Sequence, residues 1–480
     1  MIFDDDAWYN DELDDERNDG IDPETQRELQ LIDKVEEAFK AGKQLYLDTE
    51  DIDELFSYYC LRKEFEYAAY LLSLGEQYHK DDELIQILRP ILLYQQDKNE
   101  EALRMIDALD LQHNPNWHYN RAKILTALGR IDEAEKEGEY IIEQDKSNSA
   151  LYARDIINIF LPEYPEAAKQ ILLSALRYNP QHFDIIMQIA FIYSEEGDTE
   201  KALYYFDQAI DIEPYSILAW IEKCKLHAIS QRYEEALDAV EYAVAIEPNH
   251  QHASLIKAHL LIDLEKYEEA GEYIAEKAEE LPALYYDFQA LQADILYLQK
   301  DYSTAAKIYK ECLANDNCPI DSMIHYVDIK IEQHRWKEAL DICKTLLSSY
   351  PDNVSLLEHT AQVYEKTGCK HVAVKYLRKC IRLMPDNPNL LLLYAGLMLD
   401  MDNVQNGIRY VRKAYKIAPT EALPNIMMAV VNAQFYNGKD ITRYLDVARQ
   451  EDENAVNIFL NICPRGGRYL FPDKDKDKDK

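Results

Sequence analysis

Four aspartates are spaced so that their carboxylates could bind a cationic ligand. Asp287 and Asp294 stand seven residues apart, and Asp321 and Asp328 repeat that spacing thirty-four positions later. Seven residues make two turns of an α-helix, so both carboxylates of a pair lie on the same side. Glu358 extends the acidic row into the segment that follows. Such a row predicts a site for a Lys- or Arg-rich segment, because complementary charge favours encounter and specificity.

Two further pairs show the same seven-residue spacing and are candidates for partner binding. His252 and His259 would lie on one side of a helix, where two imidazoles could form part of a metal site. No Cys or carboxylate completes a tetrahedral set with them, so we expect them to line a binding groove and predict no metal. Asn116 and Lys123 form the second pair and would present an amide and an ammonium group.

Catalytic motifs are missing from the sequence. Loops that cradle phosphate need closely spaced glycines, whereas apart from Gly466 and Gly467 the nearest two glycines, Gly129 and Gly138, are nine residues apart. That spacing excludes P-loops, dinucleotide-binding fingerprints and the nucleophile elbow of hydrolases. The zinc-protease motif H-E-x-x-H is also absent. We therefore predict no catalytic residues, no enzyme activity and no cofactor.

Charge and hydropathy narrow the class of partner further. The 480 residues hold 52 Lys and Arg against 89 Asp and Glu, a net charge of −37, which disfavours nucleic acid. No run reaches the length of about 18 apolar residues that indicates a membrane-spanning helix, and the N-terminus lacks the pattern of a signal peptide. None of the eight cysteines forms a C-x-x-C pair. We expect a cytoplasmic protein that binds a protein or peptide, with no nucleic acid and no membrane as partner.

A repeat with a period of about 34 residues organises most of the chain. In the segment EKALYYFDQAIDIEP, small or apolar residues and a proline stand at offsets 0, 4, 7 and 12 from Ala202, and EEALDAVEYAVAIEP repeats them from Ala236. We call the residue at offset 0 the anchor. Nine of the eleven intervals between successive anchors are identical in length. The twelve anchors are Ala68, Ala102, Ala134, Ala168, Ala202, Ala236, Ala270, Ala305, Ala339, Ala373, Gly407 and Ile441.

Each repeat predicts a pair of helices. Offsets 0, 4 and 7 fall on one side of an α-helix, and offset 12 often holds a proline that can end it, as Pro214 does. A second amphipathic stretch precedes each anchor, so every repeat forms a helix hairpin. One hairpin cannot bury its apolar side alone, and stacked neighbours close the core. The predicted fold class is therefore all-α, a solenoid of tandem helix-turn-helix units.

The period and the run A-x-x-x-F-x-x-A-x-x-x-x-P resemble the tetratricopeptide repeat. Tyr233, Tyr267, Tyr302 and Trp336 stand three residues before four successive anchors and add to the resemblance, which covers roughly residues 50–453, or about twelve repeats. The resemblance implies a right-handed superhelix with a concave groove, lined by the first helix of each hairpin, where peptides or partner helices lie. The groove positions stand 18 and 11 residues before the anchors, and they include Asn116, Lys123, His252, His259, Asp287, Asp294, Asp321 and Asp328.

The two ends differ in composition from the repeats. Residues 1–22 hold ten acids and one base and predict a disordered acidic tail, and residues 23–47 predict an N-terminal capping helix. The predicted repeat array spans residues 48–453. A C-terminal capping helix over 454–464 and a disordered Asp/Lys tail over 465–480 complete the chain.

These features predict a non-catalytic scaffold that binds a partner protein or peptide, with the acidic row favouring a basic partner. The family's basic clamp for the C-terminal carboxylate of chaperones is not reproduced around Asn116 and Lys123, so the resemblance does not imply a chaperone co-factor. An alternative function is a self-assembling structural or regulatory subunit of a larger complex. An alternative for the acidic row itself is a surface that only keeps the protein soluble. The oligomeric state stays open.

Overall fold

The structure, a computed structural model, describes residues 23–314 and 319–470. Within those residues 27 α-helices follow one another and no β-strand occurs. The chain divides into two compact units, Met1–Ile246 and Glu247–Lys480. The prediction of an all-α fold built from tandem helices is confirmed.

The helices of the first unit precede residue 247 and are all between nine and eighteen residues long. They are α1 (Pro23–Lys40), α2 (Thr49–Leu61), α3 (Phe65–Tyr78), α4 (Glu83–Gln95), α5 (Asn99–Asp107), α6 (Pro115–Ala127), α7 (Ile131–Gln144), α8 (Ser149–Phe160), α9 (Pro165–Tyr178), α10 (Phe183–Glu195), α11 (Thr199–Ile212), α12 (Ile217–Ile229) and α13 (Tyr233–Ile246).

The second unit continues the same alternation of helices. They are α14 (Gln251–Asp263), α15 (Tyr267–Glu280), α16 (Tyr285–Leu298), α17 (Tyr302–Cys312), α18 (Ile320–Glu332), α19 (Trp336–Ser349), α20 (Val354–Lys366), α21 (Lys370–Leu383), α22 (Pro388–Asp400), α23 (Val404–Ile417), α24 (Ala422–Phe435), α25 (Ile441–Glu451), α26 (Ala455–Ile462) and α27 (Gly467–Leu470).

Helices α2 to α25 form twelve hairpins, one for each anchor. The even-numbered member of each hairpin is its first helix, and the odd-numbered member, which carries the anchor, is its second helix. In ten hairpins the residue five positions before the anchor has a positive φ, which ends the first helix and reverses the chain. Seven of these ten residues are not glycine. The ten are Lys63, Asp97, Gly129, Gly197, Gln231, Glu265, Lys300, His334, Gly368 and Asp402.

The anchor side of each second helix is buried against its first helix and the neighbouring hairpins. Ala202, Phe206 and Ala209, at offsets 0, 4 and 7, are fully buried. Gly138 stands at an offset where most repeats carry a larger apolar residue. A Cβ atom there would lie 2.8 Å from Ile171 Cδ1, so the isoleucine fills the space that the glycine leaves open.

The chain ends add helices to the array. Helix α1 packs against α3 and ends at Lys40, before the end of the predicted capping segment 23–47, and α26 spans Ala455–Ile462. Residues 465–470 differ from the predicted disordered tail, because a 3-10 turn at Pro464–Gly466 and helix α27 occupy them. The ring of Phe459 covers Gly466, where a Cβ atom would overlap Cζ. The predicted tail segments 1–22 and 471–480 lie outside the described residues.

None of the helices in the described residues is long and apolar enough to cross a bilayer.

Candidate partner-binding face

The acidic and histidine candidates all lie on first helices of the second unit. Helices α14, α16, α18 and α20 pack against one another in succession, so their matching positions form a continuous surface. We call this surface the acidic face. It carries His252 and His259 on α14, Asp287 and Asp294 on α16, Asp321 and Asp328 on α18, and Glu358 on α20.

Asp294 is the most deeply placed carboxylate of the acidic face, with 11% of its side chain exposed. Its Oδ1 accepts a hydrogen bond of 2.6 Å from Tyr309 Oη, and its Oδ2 accepts one of 2.7 Å from Ser322 Oγ. His325 Nδ1 lies 2.9 Å from the same Oδ1. Because these partners come from α17 and α18, Asp294 joins three helices, and both of its oxygens are engaged within the protein.

Two histidine–aspartate pairs link successive first helices in the same way. His325 pairs with Asp294, and His359 Nε2 lies 3.2 Å from Asp328 Oδ1. In both pairs the histidine stands at the same position of the following repeat. We call these pairs the His–Asp rungs. They place an imidazole beside each of the two aspartates nearest the middle of the acidic face.

The rungs favour the charged form of both histidines. Burial opposes the imidazolium of His325, but the hydrogen bond to Asp294 and the negative charges of Asp294, Asp328 and Asp321 outweigh it and raise the pKa. Burial likewise opposes the charge on His359, and the hydrogen bond to Asp328 again raises the pKa above its ordinary value. Each rung therefore gains positive charge as the pH falls towards mild acidity.

His259 responds in the opposite direction. Burial lowers its pKa, although the charges of Asp294, Asp263 and Asp321 act against that shift. These three carboxylates come from α16, α14 and α18, so the structure brings His259 into electrostatic range of both neighbouring first helices. A histidine with a lowered pKa is neutral at pH 7, so His259 does not compensate the negative charge of Asp263 or Asp321.

Within the described residues, three carboxylates of the acidic face have no ion-pair partner: Asp287, Asp321 and Glu358. The same holds for Asp263, which stands at the end of α14 within electrostatic range of His259. Asp321 is exposed. Asp263 is exposed as well, whereas Asp287 is half-buried. Burial raises the pKa of Asp287, because the surroundings remove part of the water that would stabilise its charge. A cation that approached these side chains would meet an attraction that water screens only in part.

The remaining candidates occupy different surroundings. Asn116 is exposed and Lys123 is half-buried, and both lie on α6 in the first unit. Lys123 Nζ stands 5.0 Å from the ring centroid of Tyr119, and burial lowers the pKa of this lysine. This pair presents one polar and one cationic group, in contrast to the acidic face.

Within the described residues, the histidines of α14 do not lie in a cluster arranged to hold a metal ion. His252 and His259 are both half-buried, and His250 precedes the helix, where its Nδ1 accepts the backbone N–H of Ala253 at 3.2 Å. Across residues 23–314 and 319–470, no group of three or more His, Cys, Asp or Glu side chains is arranged to hold a metal ion.

Two histidines that pair with aspartates of the acidic face, His325 and His359, were not predicted from the sequence. The ring of His325 stacks on Tyr297, with centroids 4.6 Å apart and planes inclined by 11°. His325 and His359 hold equivalent positions, fourteen before the anchors Ala339 and Ala373. The repeat register that relates the aspartates also relates these two histidines, so a signal for them is present in the sequence.

Known proteins share the repeat found in the hairpins. Models of the tetratricopeptide repeat match residues 183–216, 356–387 and 91–149. The human protein DnaJ homolog subfamily C member 7 is 27% identical over 170 residues, which cover 31% of this chain and 34% of that protein. The chain thus spans about a third of the length of this relative. An uncharacterized protein of Methanocaldococcus jannaschii is 40% identical over 57 residues, covering 12% of this chain and 66% of its own.

Among solved structures, yeast Tom70 aligns with 78% of this chain and 96% of its own, at 14% sequence identity and a TM-score of 0.43. The sequence match to the family models falls on α4–α8, on α10–α11 and on α20–α21, in both units. Each matched segment follows the hairpin pattern that the structure shows throughout α2–α25. The chain therefore contains tetratricopeptide repeats.

Proposed function

We propose that this chain is a non-catalytic interaction scaffold and that its acidic face binds a basic segment of a partner protein. Tetratricopeptide repeat proteins bind protein partners and are generally not enzymes, which supports the scaffold role. The acidic face supports the choice of partner, because it gathers carboxylates from three successive first helices.

One observation carries the proposal most directly. Asp287, Asp321 and Glu358 have no ion-pair partner within the described residues. Asp287 is half-buried, and burial raises its pKa. An arginine or lysine of a partner would supply the missing positive charge in surroundings that are partly shielded from water. Arginine fits especially well, because its planar guanidinium can bind a carboxylate through two parallel hydrogen bonds.

In this proposal Asp294 positions the helices of the acidic face and does not itself contact the ligand. The hydrogen bonds of Asp294 join α16, α17 and α18, so they fix the helices on which Asp287 and Asp321 stand. A basic ligand would contact the unpaired carboxylates, while Asp294 keeps the surface in shape. Charge reversal at Asp294 would disturb packing, and it is therefore excluded from the binding test.

The test is a binding titration of the full chain with a fluorescently labelled peptide rich in arginine, followed by fluorescence anisotropy at low and at high salt. An exposed ion pair contributes about 0.2–1 kcal/mol, and reversal turns attraction into repulsion. The double variant Asp287→Lys/Asp321→Lys is expected to lose about 2 kcal/mol, or roughly 30-fold in affinity. High salt is expected to weaken binding to the unmodified chain as well.

A matched control is Glu143→Lys/Asp211→Lys. Both residues are exposed and stand nine residues after an anchor on second helices of the first unit, so the control changes net charge equally. It is expected to bind within a few-fold of the unmodified chain. Equal losses in both variants would show that only net charge matters. An affinity that neither variant changes would remove the acidic face from the proposal.

A further inference from the structure

A concentrated basic surface lies on the second helices α21 and α23. These two helices contain nine Lys and Arg and no Asp or Glu. Including the intervening α22 and its loops, residues 370–417 hold nine bases and three acids, a net charge of +6 in a chain of −37. Positive charge on this scale, within so acidic a protein, is confined to two neighbouring repeats.

The bases repeat at the same positions of both helices. They stand 2, 5, 6 and 9 residues after the anchor, and these offsets lie on the side of the helix opposite the buried offsets 0, 4 and 7. Both helices pack against α22, which forms a hairpin with α23 and follows α21 of the preceding hairpin. The four matching pairs are Lys375 and Arg409, Arg378 and Arg412, Lys379 and Lys413, and Arg382 and Lys416.

One of these pairs serves the structure of the array. Lys379 Nζ lies 2.8 Å from Asp352, and Lys413 Nζ donates to the carbonyl oxygen of Pro385 at 2.7 Å. Each lysine thereby ties its helix to the turn of the preceding repeat. The bases at offsets 2, 5 and 9 form no ion pair with any described residue, and all six are exposed. We call these six residues the basic face: Lys375, Arg378, Arg382, Arg409, Arg412 and Lys416.

Two arginines of the basic face are held in position by tyrosine hydroxyls. Arg378 Nε donates to Tyr394 Oη at 3.1 Å, and Arg412 donates to Tyr436 Oη at 3.0 Å. These bonds do not neutralise charge, and they leave the other N–H groups of each guanidinium free to bind an anion. Positioned guanidinium groups lose less conformational freedom when a carboxylate binds.

We infer that the basic face binds a segment of a partner protein that is rich in aspartate and glutamate. Each helix presents three cations within eight residues. The first and last lie about 10 Å apart along the helix axis, a distance that a few residues of an extended acidic chain cover. Four of the six cations are arginines, which bind carboxylates through two hydrogen bonds.

The charge of the whole chain favours a short acidic segment over a larger polyanion. The residues outside 370–417 carry a net charge of −43, since +6 of the total of −37 lies within that range. A nucleic acid duplex or an anionic membrane is extended and would meet the repulsion of that charge, whereas a peptide needs to contact only the basic face. This site is separate from the acidic face, which lies on first helices and attracts the opposite charge.

The experiment uses the full chain and a fluorescein-labelled peptide of about twelve alternating Glu and Asp residues. Fully extended, such a peptide is about 40 Å long. Anisotropy titrations at low and high salt measure its affinity. The double variant Lys375→Glu/Arg409→Glu is expected to weaken binding at low salt by about tenfold or more, because attraction becomes repulsion at one end of both rows. High salt is expected to weaken binding to the unmodified chain too.

The matched control is Lys136→Glu/Lys307→Glu. Both lysines are exposed and stand two residues after an anchor, on α7 and α17, so this variant makes the same charge change at the same repeat position. It is expected to bind within about twofold of the unmodified chain, since distant exposed charges are largely screened. Circular dichroism verifies that both variants keep their helices, which the exposure of all four side chains leads us to expect.

Three results would overturn the inference. The first is an unmodified chain that does not bind the acidic peptide at low salt. The second is an equal loss in the test and control variants, which would assign binding to net charge alone. The third is tighter binding of duplex DNA, or of phosphatidylserine vesicles, than of the peptide under identical salt. A loss confined to the Lys375→Glu/Arg409→Glu variant supports the basic face, whatever the acidic face binds.

Discussion

Replacement of Asp294 by alanine should destabilise the array far more than the same replacement at Asp328. The two aspartates hold identical positions in successive repeats, and each pairs with a histidine of the repeat that follows. They differ in burial, with 11% of the Asp294 side chain exposed against 30% for Asp328. They also differ in partners, because Asp294 accepts hydrogen bonds from two hydroxyl groups in addition to its histidine.

The expected magnitude follows from the groups that lose their acceptor. In Asp294→Ala, the hydroxyls of Tyr309 and Ser322 stay in a buried site without a partner, which costs roughly 1–3 kcal/mol for each. The imidazole of His325 is part-exposed and can form hydrogen bonds with water instead. The variant also no longer buries the Asp294 carboxylate, whose unfavourable desolvation is removed and offsets part of the loss. A net loss of about 2–4 kcal/mol results. Asp328→Ala removes one part-exposed pair and should cost about 0.5 kcal/mol.

Hydrogen exchange measured by mass spectrometry on the full chain suits this comparison, because repeat arrays open locally rather than all at once. In Asp294→Ala, amides of α16 and α18 should exchange about 30-fold to 1,000-fold faster under conditions where exchange reports the opening equilibrium. In Asp328→Ala, the same amides should exchange only about twofold faster. Helices α2–α11 in the first unit serve as an internal reference and should exchange at the same rate in both variants.

The reasoning would be refuted if both variants accelerated exchange in α16 and α18 equally, or if Asp294→Ala had no effect. A further variant, Tyr309→Phe, separates the contributions. It keeps the ring in the core but removes one donor to Asp294, and it should cost about 1–2 kcal/mol. If Tyr309→Phe were neutral while Asp294→Ala was severe, the main stabilising partner would be Ser322 rather than Tyr309.

Three shorter predictions concern packing, turns and pH. Gly407→Ala should lower stability by about 1–2 kcal/mol in urea titrations, because the new Cβ would lie 2.6 Å from Leu399 Cγ, which outweighs the gain in helix propensity. Gln231→Gly should raise stability by about 0.5–1 kcal/mol in the same assay, because Gln231 has a positive φ of 58°. His359→Gln should cost more stability at pH 5.5 than at pH 8. The raised pKa of His359 means that its contribution is complete below the unfolded value of 6.5 and disappears as pH rises through the folded value. Equal losses at both pH values would contradict the rung between His359 and Asp328.

The hairpins could be predicted from the sequence because every repeat buries the same side of its second helix. A small anchor and apolar residues four and seven positions later recur at a nearly constant interval, and that pattern places each second helix within the observed bounds. The turns between the helices of a hairpin were harder to predict from the sequence. Gly129, Gly197 and Gly368 mark the left-handed position, but Glu265 and His334 occupy it in other repeats, and nothing in those residue types indicates a positive φ.

The surroundings of Asp294 could not be predicted from the groove register alone, because that register treats it and Asp328 alike. The difference comes from the offset-4 position of the second helix, where Tyr309 stands and where another repeat has Phe206. Both rings are fully buried. A phenylalanine needs no partner there, whereas a tyrosine brings a hydroxyl into the core and requires an acceptor. Asp294 supplies it, so a polar atom in the core of one repeat determines the role of a groove residue.

Charged residues recur at fixed positions of successive repeats in this chain, and this regularity supports the two proposed binding sites. The backbone of each hairpin requires small and apolar residues at offsets 0, 4 and 7, but it requires no particular charge on the opposite side. Solubility alone would be satisfied by mixed charges at those exposed positions. Instead, first helices α16 and α18 repeat aspartate at two positions, and second helices α21 and α23 repeat a base at four. Part of each arrangement is structural, because Asp294 and the lysines at offset 6 tie neighbouring helices together. For the other charged residues of the two faces, we propose binding of partners with opposite charge.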